Sequence, residues 1–175
     1  MLLETTCPSW LYPVQMGATT VWERWDSMLP DGRINPGEMT SFNHYALGAV
    51  ADWLHGTVGG ISPLEPGWRV IRVRPVPGGN LTSAEASFEG PYGRVACEWT
   101  LRDGRFQMTV TVPPNCTAVV TLPSETRATF LGEEEASKTV GSGTHRFECV
   151  FEAGEWPPKP IVAANQPMPE DTIAE

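Results

Sequence analysis

The chain has 175 residues, of which 41% are hydrophobic and 19% charged, and its 12 basic against 21 acidic side chains leave a formal net charge of −9. That length holds one ordinary domain, or one small domain with a fragment of a second. No apolar run approaches the ~18 residues of a membrane span, and no cluster of Lys or Arg offers the basic patch that a phosphate backbone requires, so neither a membrane nor nucleic acid is an expected partner.

The first residues, Met1-Leu2-Leu3-Glu4, lack a basic segment followed by a long apolar one, so no secretory signal is read here. A short helix is predicted within Pro8 to Met16, kinked or interrupted at Pro13 and closed by Gly17. Thr19-Thr20-Val21-Trp22 is a β-branched and aromatic run that favours an extended chain leading into Glu23. The clearest helix is predicted over 40–58, capped by Thr40 or Ser41 and ended by Gly59-Gly60. Phe42, Ala46, Ala49, Val50, Trp53, Leu54 and Val58 recur there at helical spacing. Asp52 is the only charged residue in that span, and the opposite side carries His44, Gly48, Ala51 and His55, so the helix is expected to be packed on both faces.

Beyond Gly59-Gly60 the period changes from helical to alternating. Seven strands are predicted, at 68–74, 82–89, 93–102, 105–112, 117–122, 127–132 and 144–152, the spacing of an all-β sandwich. Asp103-Gly104 is the strongest hairpin signal, because a type I′ turn needs positive φ. It sets Val95, Cys97, Trp99 and Leu101 opposite Phe106, Met108, Val110 and Val112. Glu133-Glu134-Glu135 reads as a solvated loop tip, and the Pro-rich tail from Gly154 as loosely held or disordered. The residues thus divide into a helical segment (1–60), a β-sandwich (61–153) and a tail (154–175).

Cys7, Cys97, Cys116 and Cys149 are scattered without a C-x2-C pair and are read mainly as buried thiols. Asn80-Leu81-Thr82 and Asn115-Cys116-Thr117 fit the glycosylation pattern, which by itself decides little. Neither metal nor cofactor is expected, since His55 and His145 have no matched ligands.

Two segments carry candidate chemistry. In Thr20-Val21-Trp22-Glu23-Arg24-Trp25, an extended chain puts Glu23 on one face with Val21 and Trp25. Such a carboxylate is either a surface charge lying over a ring or a general base in an aromatic sugar pocket. In Ser41-Phe42-Asn43-His44-Tyr45, His44 falls in the first turn of the predicted helix, where a lone histidine is more often structural than catalytic.

The run GATTVWERWDS, the helix SFNHYALGAVADWL and the series SFEGPYGRVACEWTLRDGRFQMTVTVPPNCTAVVTLPS together resemble the C-terminal part of bacterial and fungal α-L-rhamnosidases of glycoside hydrolase family 78, over about residues 8 to 150. The resemblance implies an α + β chain: the last helices of an (α/α)6 barrel followed by an antiparallel β-sandwich. It implies that Glu23 is the general base that activates water for inversion, that His44 lies in the rhamnose pocket, and that Trp22, Trp25 and Asn43 stand near the site by proximity in the motifs. The substrates would be rhamnosylated glycosides. The family's general acid lies on earlier barrel helices that this chain does not match, so the upstream half of the barrel is expected to be needed for activity. Two other functions stay open: a non-catalytic carbohydrate-binding or packing sandwich, and the tail of another (α/α)6 glycosidase, trehalase-like or glucosidase-like.

Overall fold

The computed structural model describes residues 2–123 and 137–155. The predicted strand 127–132, the triple glutamate and the tail beyond residue 155 lie outside the described residues.

The N-terminal segment holds one regular α-helical turn, α1 (Leu11–Gln15). Ser9 Oγ accepts the Tyr12 N–H at 3.0 Å and stands in for the missing first-turn acceptor. The helix closes as the sequence predicts: Gly17 takes φ +84°, with Gly17 N–H bonded to Val14 O and Ala18 N–H to Pro13 O, the paired bonds of a Schellman cap.

The predicted 40–58 helix is shorter than the apolar spacing suggests. Helical structure begins only at Ala46 and changes pitch twice, running as a 3-10 turn (Ala46–Ala49), an α turn, α2 (Val50–Trp53), and a π turn (Leu54–Val58). Residues 41–44 are withheld from it because their backbone groups bond to the 21–23 segment instead, Glu23 N–H to Ser41 O at 2.9 Å and His44 N–H to Val21 O at 2.7 Å. The π turn follows from demands at the other end. Gly59 N–H reaches back five residues to Leu54 O, while Thr57 O and Val58 O turn outward to accept from Val76 N–H (2.9 Å) and the Trp99 indole N–H (2.7 Å). The expectation that this helix is packed on both faces is not met within this chain, where Tyr45 is 86%, Trp53 49% and Leu54 38% exposed.

Past Gly60 the chain forms two four-stranded sheets. One has the order β1 (Ile61–Pro63), β2 (Val70–Val73), β6 (Thr117–Thr121), β7 (Ser137–Val140); the other runs β3 (Ser83–Gly90), β4 (Gly93–Arg102), β5 (Arg105–Val112), β8 (Gly143–Val150). The strands match the predicted spans closely, with two additions. Pro63 ends the three-residue β1 and shortens its alternating pattern, and Ser137–Val140 is largely polar, so neither carried a strand signal. The Asp103-Gly104 hairpin has both φ values positive, +50° and +72°, and sets Cys97 against Val110, Trp99 against Met108 and Leu101 against Phe106, the register expected. Pairing is antiparallel except between β2 and β6, which run parallel because β3, β4 and β5 in the opposite sheet form the crossover between them.

Alternation buries one side of each sheet. Ile61, Ile71, Val73, Ala118, Val120 and Val140 face Val95, Cys97, Trp99, Phe106, Met108, Val110 and Val112 in a single core. Cys97 and Cys116 lie in that core, and Cys149 is half-buried. Cys7 is exposed and departs from the buried reading: it stands in an irregular N-terminal stretch, not on a strand. The helical end is locked onto the sandwich by the Trp99 and Val76 bonds, by Arg74 N–H on Gly60 O (2.8 Å), and by His55 Nε2 against Ser87 O (3.2 Å). Gly60, at φ +79°, lies so close to the Pro75 backbone that no side chain fits there.

Two outcomes follow. Trp99→Phe keeps most of the ring but leaves the Val58 carbonyl unpaired beside the core, and should lower unfolding free energy by about 1–3 kcal/mol in urea titration. Burial, aided by Glu98, pushes the Cys97 thiol up from 9.0 to about 12. The unfolded chain therefore releases this proton at lower pH than the folded one. Stability tied to the neutral thiol is complete below pH 9.0 and drains away as pH rises towards about 12. Urea midpoints measured from neutral to alkaline pH should fall less steeply in Cys97→Ala than in the parent chain.

Candidate active site

The site is built where two irregular segments meet. Besides the two backbone bonds that pair 21–23 with 41–44, the Thr20 hydroxyl donates to Phe42 O, and Trp22 packs edge-on against Phe42 with ring centroids 5.1 Å apart. Ser41 Oγ accepts the Asn43 N–H at 3.2 Å, forming the local hydroxyl turn that keeps these residues out of the helix.

That turn aims the Ser41 N–H at the Glu23 carboxylate, with Oε2 accepting it at 3.0 Å. The other oxygen, Oε1, lies 3.8 Å from His44 Nε2; the Glu23 side chain is 15% exposed and that of His44 31%. His44 precedes the helix rather than occupying its first turn, and its Nδ1 accepts the Ala46 N–H at 3.2 Å. Its ring stacks on Tyr45, with centroids 4.9 Å apart and planes 14° from parallel. The two strongest sequence candidates, 21 residues apart, are thus brought together.

The chain does not continue extended past Glu23. It turns through Ser27, whose N–H bonds Arg24 O at 3.3 Å, and Trp25 packs edge-on against Trp10 at 5.3 Å. Glu23, Trp25, Cys7, Pro8, Asp26 and Leu47 line an open cavity of about 490 Å³. Trp25 Nε1 is buried with no hydrogen-bond partner among the described residues, an unmet donor beside that cavity. Asp26 is already engaged: it holds Arg24 through two bonds of 2.9 and 3.0 Å and accepts Asn35 Nδ2 at 2.9 Å. Trp22, which the resemblance places near the site, is packed within this segment. At 3% exposure it is buried behind the Glu23 turn, edge-on to Phe42. Asn43 is exposed on the turn itself. Sequence reasoning missed the amides of Ser41 and Ala46; a Ser two residues before an Asn was the available signal for the first. Among the described residues no group of three His, Cys, Asp or Glu is placed to hold a metal ion, and no helix is long and apolar enough to cross a membrane.

The site thus sets a half-buried carboxylate beside a histidine on a helical segment locked to a two-sheet sandwich, and the matches to known families give its class as the closing part of a six-hairpin glycosidase. Residues 1–58 match the bacterial α-L-rhamnosidase 6 hairpin glycosidase domain, and residues 60–137 match the bacterial α-L-rhamnosidase C-terminal domain. An α-L-rhamnosidase of Streptomyces avermitilis is 46% identical over 156 residues, 84% of this chain and 15% of that protein; one of Formosa agariphila is 42% identical over 71% of this chain and 14% of its own length. Among solved structures, native α-L-rhamnosidase from Aspergillus terreus aligns at TM-score 0.76 and 52% identity, covering 86% of this chain and 17% of its own. The Streptomyces avermitilis enzyme complexed with L-rhamnose aligns at 0.74 and 45%, covering 85% and 15%. The chain belongs to the α-L-rhamnosidase family and corresponds to a C-terminal portion of it, spanning about 15% of the length of those relatives.

Trp22→Ala should separate framework from site. Loss of a buried indole costs about 3–5 kcal/mol at a packed position. Hydrogen exchange should show lost protection at the Glu23 and His44 amides in Trp22→Ala and retained protection in Asn43→Ala.

Proposed function

We propose that this chain supplies the water-activating half of an α-L-rhamnosidase that cleaves terminal α-L-rhamnose from glycosides with inversion, residues 1–60 acting as barrel fragment and 61–153 as the sandwich that anchors it. The observation that carries this reading is the Glu23 carboxylate. One oxygen is fixed by the Ser41 N–H, the other lies 3.8 Å from His44 Nε2, and the residue lines an open cavity. A carboxylate so held, with one lone-pair edge free, is suited to accept a proton from water attacking the anomeric carbon.

Inversion needs a second carboxyl group ~6.5–9.5 Å away to protonate the leaving oxygen. Asp26, the other carboxylate lining the cavity, is paired with Arg24 and accepts a hydrogen bond from Asn35, so the acid is assigned to the part of the barrel that this chain does not match. His44 and Trp25 are the proposed sugar contacts, with Asn43 at the rim. The competing reading, a separate carbohydrate-binding sandwich, has less support. The Trp68 and Phe88 rings stack on each other at 4.4 Å and 21°, so each has one face taken by the other.

The test is a chimera in which residues 1–155 replace the matching C-terminal portion of the Streptomyces avermitilis enzyme. It should hydrolyse an aryl α-L-rhamnoside, Glu23→Gln should lower kcat by about 10²- to 10⁴-fold, and the 175-residue chain alone should be inactive. Near-parental turnover in the Glu23→Gln chimera would reassign the base.

A further inference from the structure

Building on that reading, we infer that His44 is locked as its neutral Nε2–H tautomer by the Ala46 amide, so that it can only donate toward the reaction centre and Glu23 alone accepts the proton of the attacking water. Two groups at the site have the chemistry of a base, and proximity does not say which one acts. A carboxylate beside an imidazole can be the base itself, or can orient a histidine that takes the proton.

The local hydrogen bonds choose between them. Nδ1 of His44 accepts the Ala46 N–H at 3.2 Å, which requires its lone pair to be free. The single proton of the neutral ring is therefore on Nε2, the atom facing Glu23 Oε1 at 3.8 Å. For His44 to act as the base, the proton would have to move to Nδ1, where it would oppose the Ala46 N–H, donor against donor. Glu23 is arranged the other way: Oε2 accepts the Ser41 N–H, which fixes the carboxylate, and Oε1 faces His44 Nε2 as an acceptor. Donor and acceptor thus converge on one small region from two amides five residues apart. As water attacks, its oxygen bonds to the anomeric carbon, its O–H breaks and the proton passes to Glu23 Oε1. The glycosidic oxygen leaves with its bonding pair and takes a proton from the general acid. The Nε2–H of His44 stays in place throughout, orienting a hydroxyl or the water. Ser41 and Ala46 are positioning residues that act through their backbone.

The tautomer can be read on the 175-residue chain directly, by long-range proton–nitrogen correlation spectroscopy of uniformly labelled protein at mildly alkaline pH, with His44 assigned by its loss in His44→Gln. The expected spectrum has an unprotonated Nδ1 and a protonated Nε2 for His44, fully displaced from the averaged pattern the same residue gives in urea. A protonated Nδ1, or an averaged pattern in the folded chain, would overturn the inference. In the chimera, His44→Gln can still place a donor amide near the Nε2 position beside Glu23, whereas the shorter His44→Asn can accept from Ala46 but its amide stops short of that position. His44→Gln should therefore keep at least tenfold more kcat than His44→Asn, and the reverse order would also overturn it. The two readings fail separately: an active Glu23→Gln chimera removes the base assignment without altering the tautomer, and an Nδ1–H signal moves the base to His44 without altering the reaction.

Discussion

The site rests on one exchange between segments that have no regular structure of their own. Glu23 gives its backbone N–H to Ser41 O and receives the Ser41 N–H on its carboxylate, while His44 gives its N–H to Val21 O. Three bonds link Val21 and Glu23 on one side to Ser41 and His44 on the other, and the rest of the site is arranged around them. They stop the helix short of Ala46, which frees His44 to point at Glu23 and leaves the Ala46 amide to cap its ring. A longer helix would bury these same backbone groups in its own ladder and turn His44 away. The cost of leaving 41–44 non-helical is offset locally by the Ser41 hydroxyl turn and by Trp22 against Phe42.

The sandwich has a structural task in this arrangement. Its inner tryptophan, Trp99, reaches out of the core to bond the last helical carbonyl, and Arg74 and Val76 hold the residues on either side. These bonds pull the helix end into a wider pitch. The helical segment is thereby fixed relative to a rigid two-layer body, even though much of its apolar surface faces outward in this chain. That exposure fits a segment matching the hairpin domain over only 58 residues.

Much of the fold was legible in the sequence. Strands with clean alternation, such as Arg105–Val112, were read nearly to the residue, since half-buried sheets impose period two. The Asp103-Gly104 turn fixed its register because positive φ at both positions admits few residues. The pairing of β2 with β6 was not legible, because parallel neighbours are joined through the opposite sheet and leave no local mark. In the site, the catalytic candidates were found by motif while their geometry was not. Trp22 and Trp25 look equivalent in sequence, yet one is a packed wall and the other lines the cavity. The difference arises from the turn after Glu23, which depends on Ser27 and Asn35 rather than on either indole. The helix start was misplaced because apolar spacing reports burial, and Phe42 is shielded against Trp22 outside any helix.

The tie between Trp99 and Val58 spans 41 residues of chain. A ribosome therefore emits the whole helical segment well before the strand that anchors it, and the parallel β2–β6 pair must wait for Thr117–Thr121, later still. Until then the helical segment lacks the indole bond to its last carbonyl. Biosynthesis thus imposes an order in which the residues proposed for chemistry are made before the strands that anchor their segment, and the length of the intervening meander sets the interval between the two.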